Sequence, residues 1–153
     1  MQTTAKGLTM KAKCVYLSVH EEKIALPVGR HCLGEFYGAS SSILDCEESI
    51  CRALQESATQ ANAKLLKIVT HRFEPQGVTG FALLAESHIS IHTWPELNYA
   101  TVDAFTCGTR TWPDKAIESL KQSLKAKTIY TRAFDRDYVS PLQPHRVLQG
   151  ASA

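Results

Sequence analysis

Apolar and polar positions along the chain fall into blocks whose period changes from two to 3.6 and back, and each block names an element. Residues 31–37 end at Gly38 and read as a first strand. Asp45 with Glu48 three residues on has the spacing of a helix cap, and Ile50, Ala53, Leu54, Ala58 and Ala61 follow at helical intervals. This predicts an amphipathic helix over about 46–62. The apolar, β-branched runs 65–73 and 78–85 flank Pro75-Gln76-Gly77 and predict two strands joined by a tight turn. Residues 88–94 form a third extended run that stops at Pro95, and 99–106 a fourth that closes at Cys107-Gly108. Pro113 suits a helix first turn, and Ile117, Leu120 and Leu124 continue one face that ends among Lys121, Lys125 and Lys127. Residues 129–134 read as the last strand.

The strand connections are too short for helical crossovers, which implies mostly antiparallel pairing. Two amphipathic helices need one sheet face to cover, so the expected fold is α+β: a two-layer sandwich of a mainly antiparallel sheet with two helices on one face. The other face must be covered as well or carry polar groups; a small layer with one open face suits dimer formation, so a homo-oligomer, in the first instance a dimer, is the expected assembly. Weak periodicity marks residues 1–28 as an N-terminal extension, and Pro141, Pro144 and the Gly-Ala-Ser-Ala finish mark 139–153 as a C-terminal tail. The expected domain is therefore 29–138.

Charge narrows the function. Seventeen basic and fifteen acidic residues leave a net charge of +2, and the basic residues are scattered, so nothing resembles a nucleic-acid footprint. No apolar run approaches the roughly 20 residues of a membrane span, and the short apolar stretch 14–19 is cut off by His20-Glu21-Glu22-Lys23, so no membrane partner is expected. Five cysteines at 14, 32, 46, 51 and 107 lack paired spacing, which points to a reducing, cytoplasmic setting.

Candidate chemistry concentrates in residues 86–96, flanked by Thr79 and Cys107. A metal site from His88 and His92 is a poor reading: Ile89 and Ile91 alternate as in a strand, which separates the two rings by about 13 Å at 3.3 Å per residue. Nucleophilic attack by Ser87 or Cys107 with a histidine as base is a second reading, weakened for hydrolases by the lack of a G-x-S-x-G elbow. A third is self-processing, in which the Ser87 hydroxyl attacks the preceding carbonyl and elimination leaves a pyruvoyl end. The residues alone do not choose among these.

A resemblance does. Phe73-Glu74-Pro75-Gln76-Gly77-Val78-Thr79-Gly80, then A-E-S-H-I-S-I-H-T-W-P-E from Ala85 to Glu96, then Phe105-Thr106-Cys107-Gly108, closely resemble the prokaryotic S-adenosylmethionine decarboxylase proenzymes, the short pyruvoyl-dependent class. The segments from Gly29 to His31 and from Glu35 to Gly38 match the start of that family. The resemblance implies self-cleavage between Glu86 and Ser87, with Ser87 as the source of the pyruvoyl group. It makes His92 the processing histidine, Thr79 its support where relatives usually carry serine, and Cys107 the proton donor in decarboxylation. Phe73 is expected to stack on adenine and Glu96 to accept hydrogen bonds from the ribose. No metal and no pyridoxal phosphate enter: the pyruvoyl ketone takes the substrate amine as a Schiff base and serves as electron sink.

The implied reaction converts S-adenosylmethionine to its decarboxylated form for polyamine (spermidine) synthesis. The rivals are a same-fold pyruvoyl-dependent decarboxylase of ornithine or arginine, and a non-catalytic polyamine-binding partner subunit. His31, Glu35, His71 and His88 read equally well as structural groups, and Trp94 and Phe105 as core. Because Ser87 and His92 differ by five positions, a regular strand would face them oppositely. A bend or bulge is therefore expected close to Glu86-Ser87.

Overall fold

A computed structural model describes residues 26–138. The expected extension up to residue 25 and the tail 139–153 lie outside the described residues. Within them the order is β1 (Leu26–Tyr37), α1 (Ser41–Leu44), α2 (Glu47–Gln60), β2 (Leu65–Arg72), β3 (Val78–Leu84), β4 (Ser87–Trp94), a 3-10 turn (Pro95–Leu97), β5 (Tyr99–Cys107), α3 (Pro113–Ser123) and β6 (Thr128–Tyr138). The strands form one antiparallel sheet in the order β2-β3-β4-β5-β1-β6. This is the α+β two-layer architecture that the periodicity predicts. β2 to β5 follow each other as a meander because their loops are short, whereas β1 is inserted between β5 and β6, a non-local pairing with no local signal.

The layers meet through alternate strand residues. Phe36 on β1, Ile89 and Ile91 on β4, and Val102 on β5 are fully or almost fully buried beneath Ile50 and Leu54 of α2 and Leu120 of α3. Each such aliphatic side chain removed from water contributes about 1.5–3 kcal/mol. Gly80 lets α2 approach β3, since a Cβ there would stand 2.8 Å from the Leu54 side chain. The helical turn α1, which the periodicity does not reveal, tucks Leu44 into the core, and its carbonyl accepts the buried Thr93 hydroxyl at 2.8 Å.

Three expectations change. β1 begins at Leu26, ahead of the expected strand start at 31, because Leu26 and Pro27 pair with Tyr138 and Asp137 of β6. β6 likewise runs on to Tyr138. Asp45 is not the cap of α2: the N-cap is Cys46, without a side-chain cap bond. The Asp45 carboxylate instead accepts the Gly77 N–H and the Arg72 guanidinium, each at 2.9 Å. It thereby ties the start of α2 to the turn between β2 and β3, and Gly77, at a φ of +98°, adopts a backbone that suits glycine. The Gly77 N–H first, then Arg72, hold the Asp45 carboxyl below its ordinary value.

Candidate active site

Among the described residues the helices cover one face of the sheet, and no second layer covers the other. That open face carries His88 and His92, which alternate with the buried Ile89, Ile91 and Thr93. It is also apolar to an unusual degree: Val69, Phe81, Leu83, Tyr130 and Phe134 are each at least 40% exposed.

At one end lies the turn between β3 and β4. Leu84 pairs with Ser87, so Ala85 and Glu86 form a two-residue loop. Ser87 has a φ of +150°, sparsely populated for any residue with a side chain. The Glu86 carbonyl accepts the Cys107 N–H at 2.9 Å, and its carboxylate accepts the Lys64 N–H at 3.0 Å. Ser87 Oγ lies 3.1 Å from His88 Nδ1. Its partner on β5 is Thr106, a residue 1% exposed whose Oγ1 has no hydrogen-bond partner among the described residues. Next to Thr106, Cys107 is exposed at the end of β5.

Toward the other end, Thr79 stands directly across from His92, with 2.8 Å between Thr79 Oγ1 and His92 Nδ1. Beyond them, Phe73 is half exposed, its N–H bonded to the Gly77 carbonyl at 2.8 Å. Glu96 in the 3-10 turn accepts the Gln76 side-chain amide at 3.1 Å. The sequence-predicted residues thus divide into two groups, Glu86, Ser87 and Cys107 at one end and Thr79, His92, Phe73 and Glu96 toward the other.

The expected bulge is not there. β4 pairs without a register shift with β3 from Ser87 to His92 and with β5 from Ser87 to Trp94. A strand bonded on both sides has no slack for an extra residue, so the irregularity is confined to the Ser87 backbone. Ser87 and His92 are consequently about 16 Å apart along β4, at 3.3 Å per residue. Between the two ends the open face holds further polar groups: His31 Nε2 lies 3.5 Å from Asp103, and Tyr99 donates to Glu35. Burial first, then Glu35, pushes the Tyr99 hydroxyl far up. His88 was indistinguishable in the sequence from a structural histidine; only the contact with Ser87 marks it out.

The fold and site place this chain among α+β proteins with one helix-backed antiparallel sheet and a serine held at an irregular strand start. Residues 30–137 match the family described as S-adenosylmethionine decarboxylase. An S-adenosylmethionine decarboxylase proenzyme of Synechococcus sp. (strain WH7803) is 54% identical over 110 residues, which are 72% of this chain and 86% of that protein. One from Moorella thermoacetica is 40% identical over 116 residues, 76% of this chain and 93% of that protein. The crystal structure of the adenosylmethionine decarboxylase from Aquifex aeolicus VF5 superimposes with a TM-score of 0.69 at 35% identity, covering 78% of this chain and 98% of that one. The chain belongs to the S-adenosylmethionine decarboxylase family, a family of lyases.

Proposed function

We propose that the chain is made as a proenzyme, cuts itself between Glu86 and Ser87, and then decarboxylates S-adenosylmethionine to supply an aminopropyl donor for polyamine synthesis. The observation that carries this reading is the Glu86-Ser87 peptide itself. It sits in a two-residue turn, its serine has a φ of +150°, and its carbonyl already receives the Cys107 N–H at 2.9 Å. Attack by Ser87 Oγ on that carbonyl places negative charge where a preorganised donor waits. An ester follows; elimination releases the Glu86 carboxylate and leaves dehydroalanine at residue 87, whose hydrolysis with loss of ammonia gives the pyruvoyl group. These residues suit a group formed in place from Ser87. When present, it supplies an electrophile for the substrate amine and a sink for the electrons released with carbon dioxide.

In this reading the Cys107 thiol, on the strand end beside the turn, returns a proton to the substrate carbon. The Phe73 ring stacks on adenine, and Glu96, steadied by Gln76, accepts the ribose hydroxyls. These roles need a second copy of the chain. His92, Thr79, Phe73 and Glu96 lie too far along the sheet to serve the Ser87 of their own protomer. A two-fold packing of open faces, the His92 end of one copy against the Ser87 end of the other, completes two sites and covers Phe81, Leu83 and Phe134. The free thiols of Cys32, Cys46, Cys51 and Cys107 suit a reducing cytoplasm. Among the described residues no helix is long and apolar enough to cross a membrane.

Intact mass tests the reading directly. Wild-type protein should resolve into chains 1–86 and 87–153, the second with a blocked end, and Ser87→Ala should stay whole. Cleavage of Ser87→Ala at the same bond would remove the assignment. Decarboxylation should be strong on S-adenosylmethionine and weak on ornithine and arginine; the reverse would give the function to the same-fold relatives.

A further inference from the structure

The Ser87 hydroxyl meets the ring of its own neighbour, 3.1 Å from His88 Nδ1. Consecutive residues of a regular strand point to opposite faces. The contact therefore depends on the φ of +150° at Ser87. The ring is held in place for it: His88 stacks on Phe81 with centroids 5.3 Å apart and planes 16° from parallel, and lies 6.3 Å from the Phe105 ring. A ring nitrogen held in place thus touches the attacking oxygen, while an oriented donor, the Cys107 N–H, touches the carbonyl under attack.

We propose that His88 is the base that takes the Ser87 hydroxyl proton in the acyl shift that begins self-cleavage. The inference rests on the reading of the chain as a self-processing proenzyme and adds a residue to it. Nδ1 of the neutral ring accepts the proton as the Oγ–C bond forms on the Glu86 carbonyl carbon, and the oxyanion faces the Cys107 N–H. When the carbonyl re-forms, the C–N bond to Ser87 breaks and the imidazolium returns its proton to that nitrogen. The result is an ester and a free amine, with no oxidant, reductant or metal consumed. Loss of the Ser87 α-proton is a later event, which in this scheme falls to His92 of a second copy, so the two histidines act at different steps.

The surroundings favour a neutral ring. Burial pushes His88 below its ordinary value, the nearby His31 acts in the same direction, and Asp103 opposes them. The titratable and charged groups facing it are Asp103 and Cys107 from β5, His31 from β1, Lys67 from β2 opposite Leu83, and His92 on β4 itself. From β6 comes Arg136, 4.9 Å above the Phe105 ring. None of the β3 side chains on this face, Thr79, Phe81 and Leu83, titrates.

The test follows freshly synthesised full-length chain by intact mass. His88→Gln fills the same space without a titrating base, and should cleave at least about 100-fold more slowly than wild type, the lower range for a lost general base. Its intact chain should resist hydroxylamine at mildly alkaline pH, because no ester has formed, whereas His92→Ala should be cut by it between Glu86 and Ser87. The wild-type rate should rise with pH through a midpoint below about pH 6.5, the ordinary histidine value. His88→Gln should lose that rise. Cleavage of His88→Gln at the wild-type rate, an intact His88→Gln chain that hydroxylamine cuts, or a wild-type rate flat across the acid range each overturns the proposal. The flat profile needs no variant to fold. Wild-type protein that never cleaves would instead overturn the self-processing reading beneath it.

Discussion

Thr79 and His92 face each other across β3 and β4 and share a 2.8 Å hydrogen bond, yet they stand five strand residues away from the serine they are expected to serve. The pair is a finished local unit: the hydroxyl orients the ring, and the β ladder fixes both. What it lacks within one protomer is a reacting group, which is why the proposed mechanism draws on a second copy.

Mixed assemblies expose this arrangement. Ser87→Ala and His92→Ala should each remain uncleaved alone, the second as an ester that hydroxylamine cuts. Co-expressed, they form hybrid dimers in which the Ser87 of one chain meets the His92 of the other. Part of the His92→Ala chain should then be cleaved, with decarboxylation appearing alongside. Absence of cleavage in isolated hybrid dimers would show that each protomer processes itself.

In the proposed mechanism Cys107 enters twice, through its N–H during cleavage and through its thiol during turnover. Cys107→Ala keeps the N–H that meets the Glu86 carbonyl. It should still divide into two chains, but turnover should fall by about 100-fold or more for want of a proton donor. Equal turnover by fully processed Cys107→Ala would take the thiol out of the mechanism.

Phe73 lies at the half-exposed end of the β2–β3 turn, with the His71 ring 4.8 Å away edge-on. An aromatic stack on adenine contributes about 1 kcal/mol. Phe73→Ala should therefore weaken S-adenosylmethionine binding several-fold to tenfold in calorimetry on processed protein, with cleavage unaffected. Unchanged affinity would place adenine elsewhere.

Asp45 links pH to the turn that positions Phe73 and Thr79. Its folded pKa is held down by the Gly77 N–H and Arg72. Its stabilising contribution is therefore complete above the unfolded value of about 3.9 and is lost as pH falls through the lower folded value. Asp45→Asn, which removes the charge, should melt earlier than wild type at neutral pH. The gap should close below about pH 4, in thermal melts recorded against pH; a constant gap would assign it to packing alone.

The sequence by itself determined the elements and their faces. Ile89 and Ile91 alternate with His88 and His92, and Ile50, Ala53 and Leu54 recur at helical spacing, because burial selects residue type at each period. It also set residues 86–96 apart as an unusual polar run in a strand, and it was the resemblance to a family, not packing, that joined Glu86, Ser87, His92 and Cys107. Other features depended on contacts between distant residues. Insertion of β1 between β5 and β6 draws Leu26 into the sheet, and the tie from Asp45 to Gly77 replaces a helix cap. Unbroken pairing of β4 on both sides keeps Ser87 and His92 apart where spacing alone suggested a bulge. The role of His88 turns on the φ of Ser87, which no neighbour in sequence reveals: it is set by the two-residue turn and by the β5 strand that holds Glu86 through Cys107.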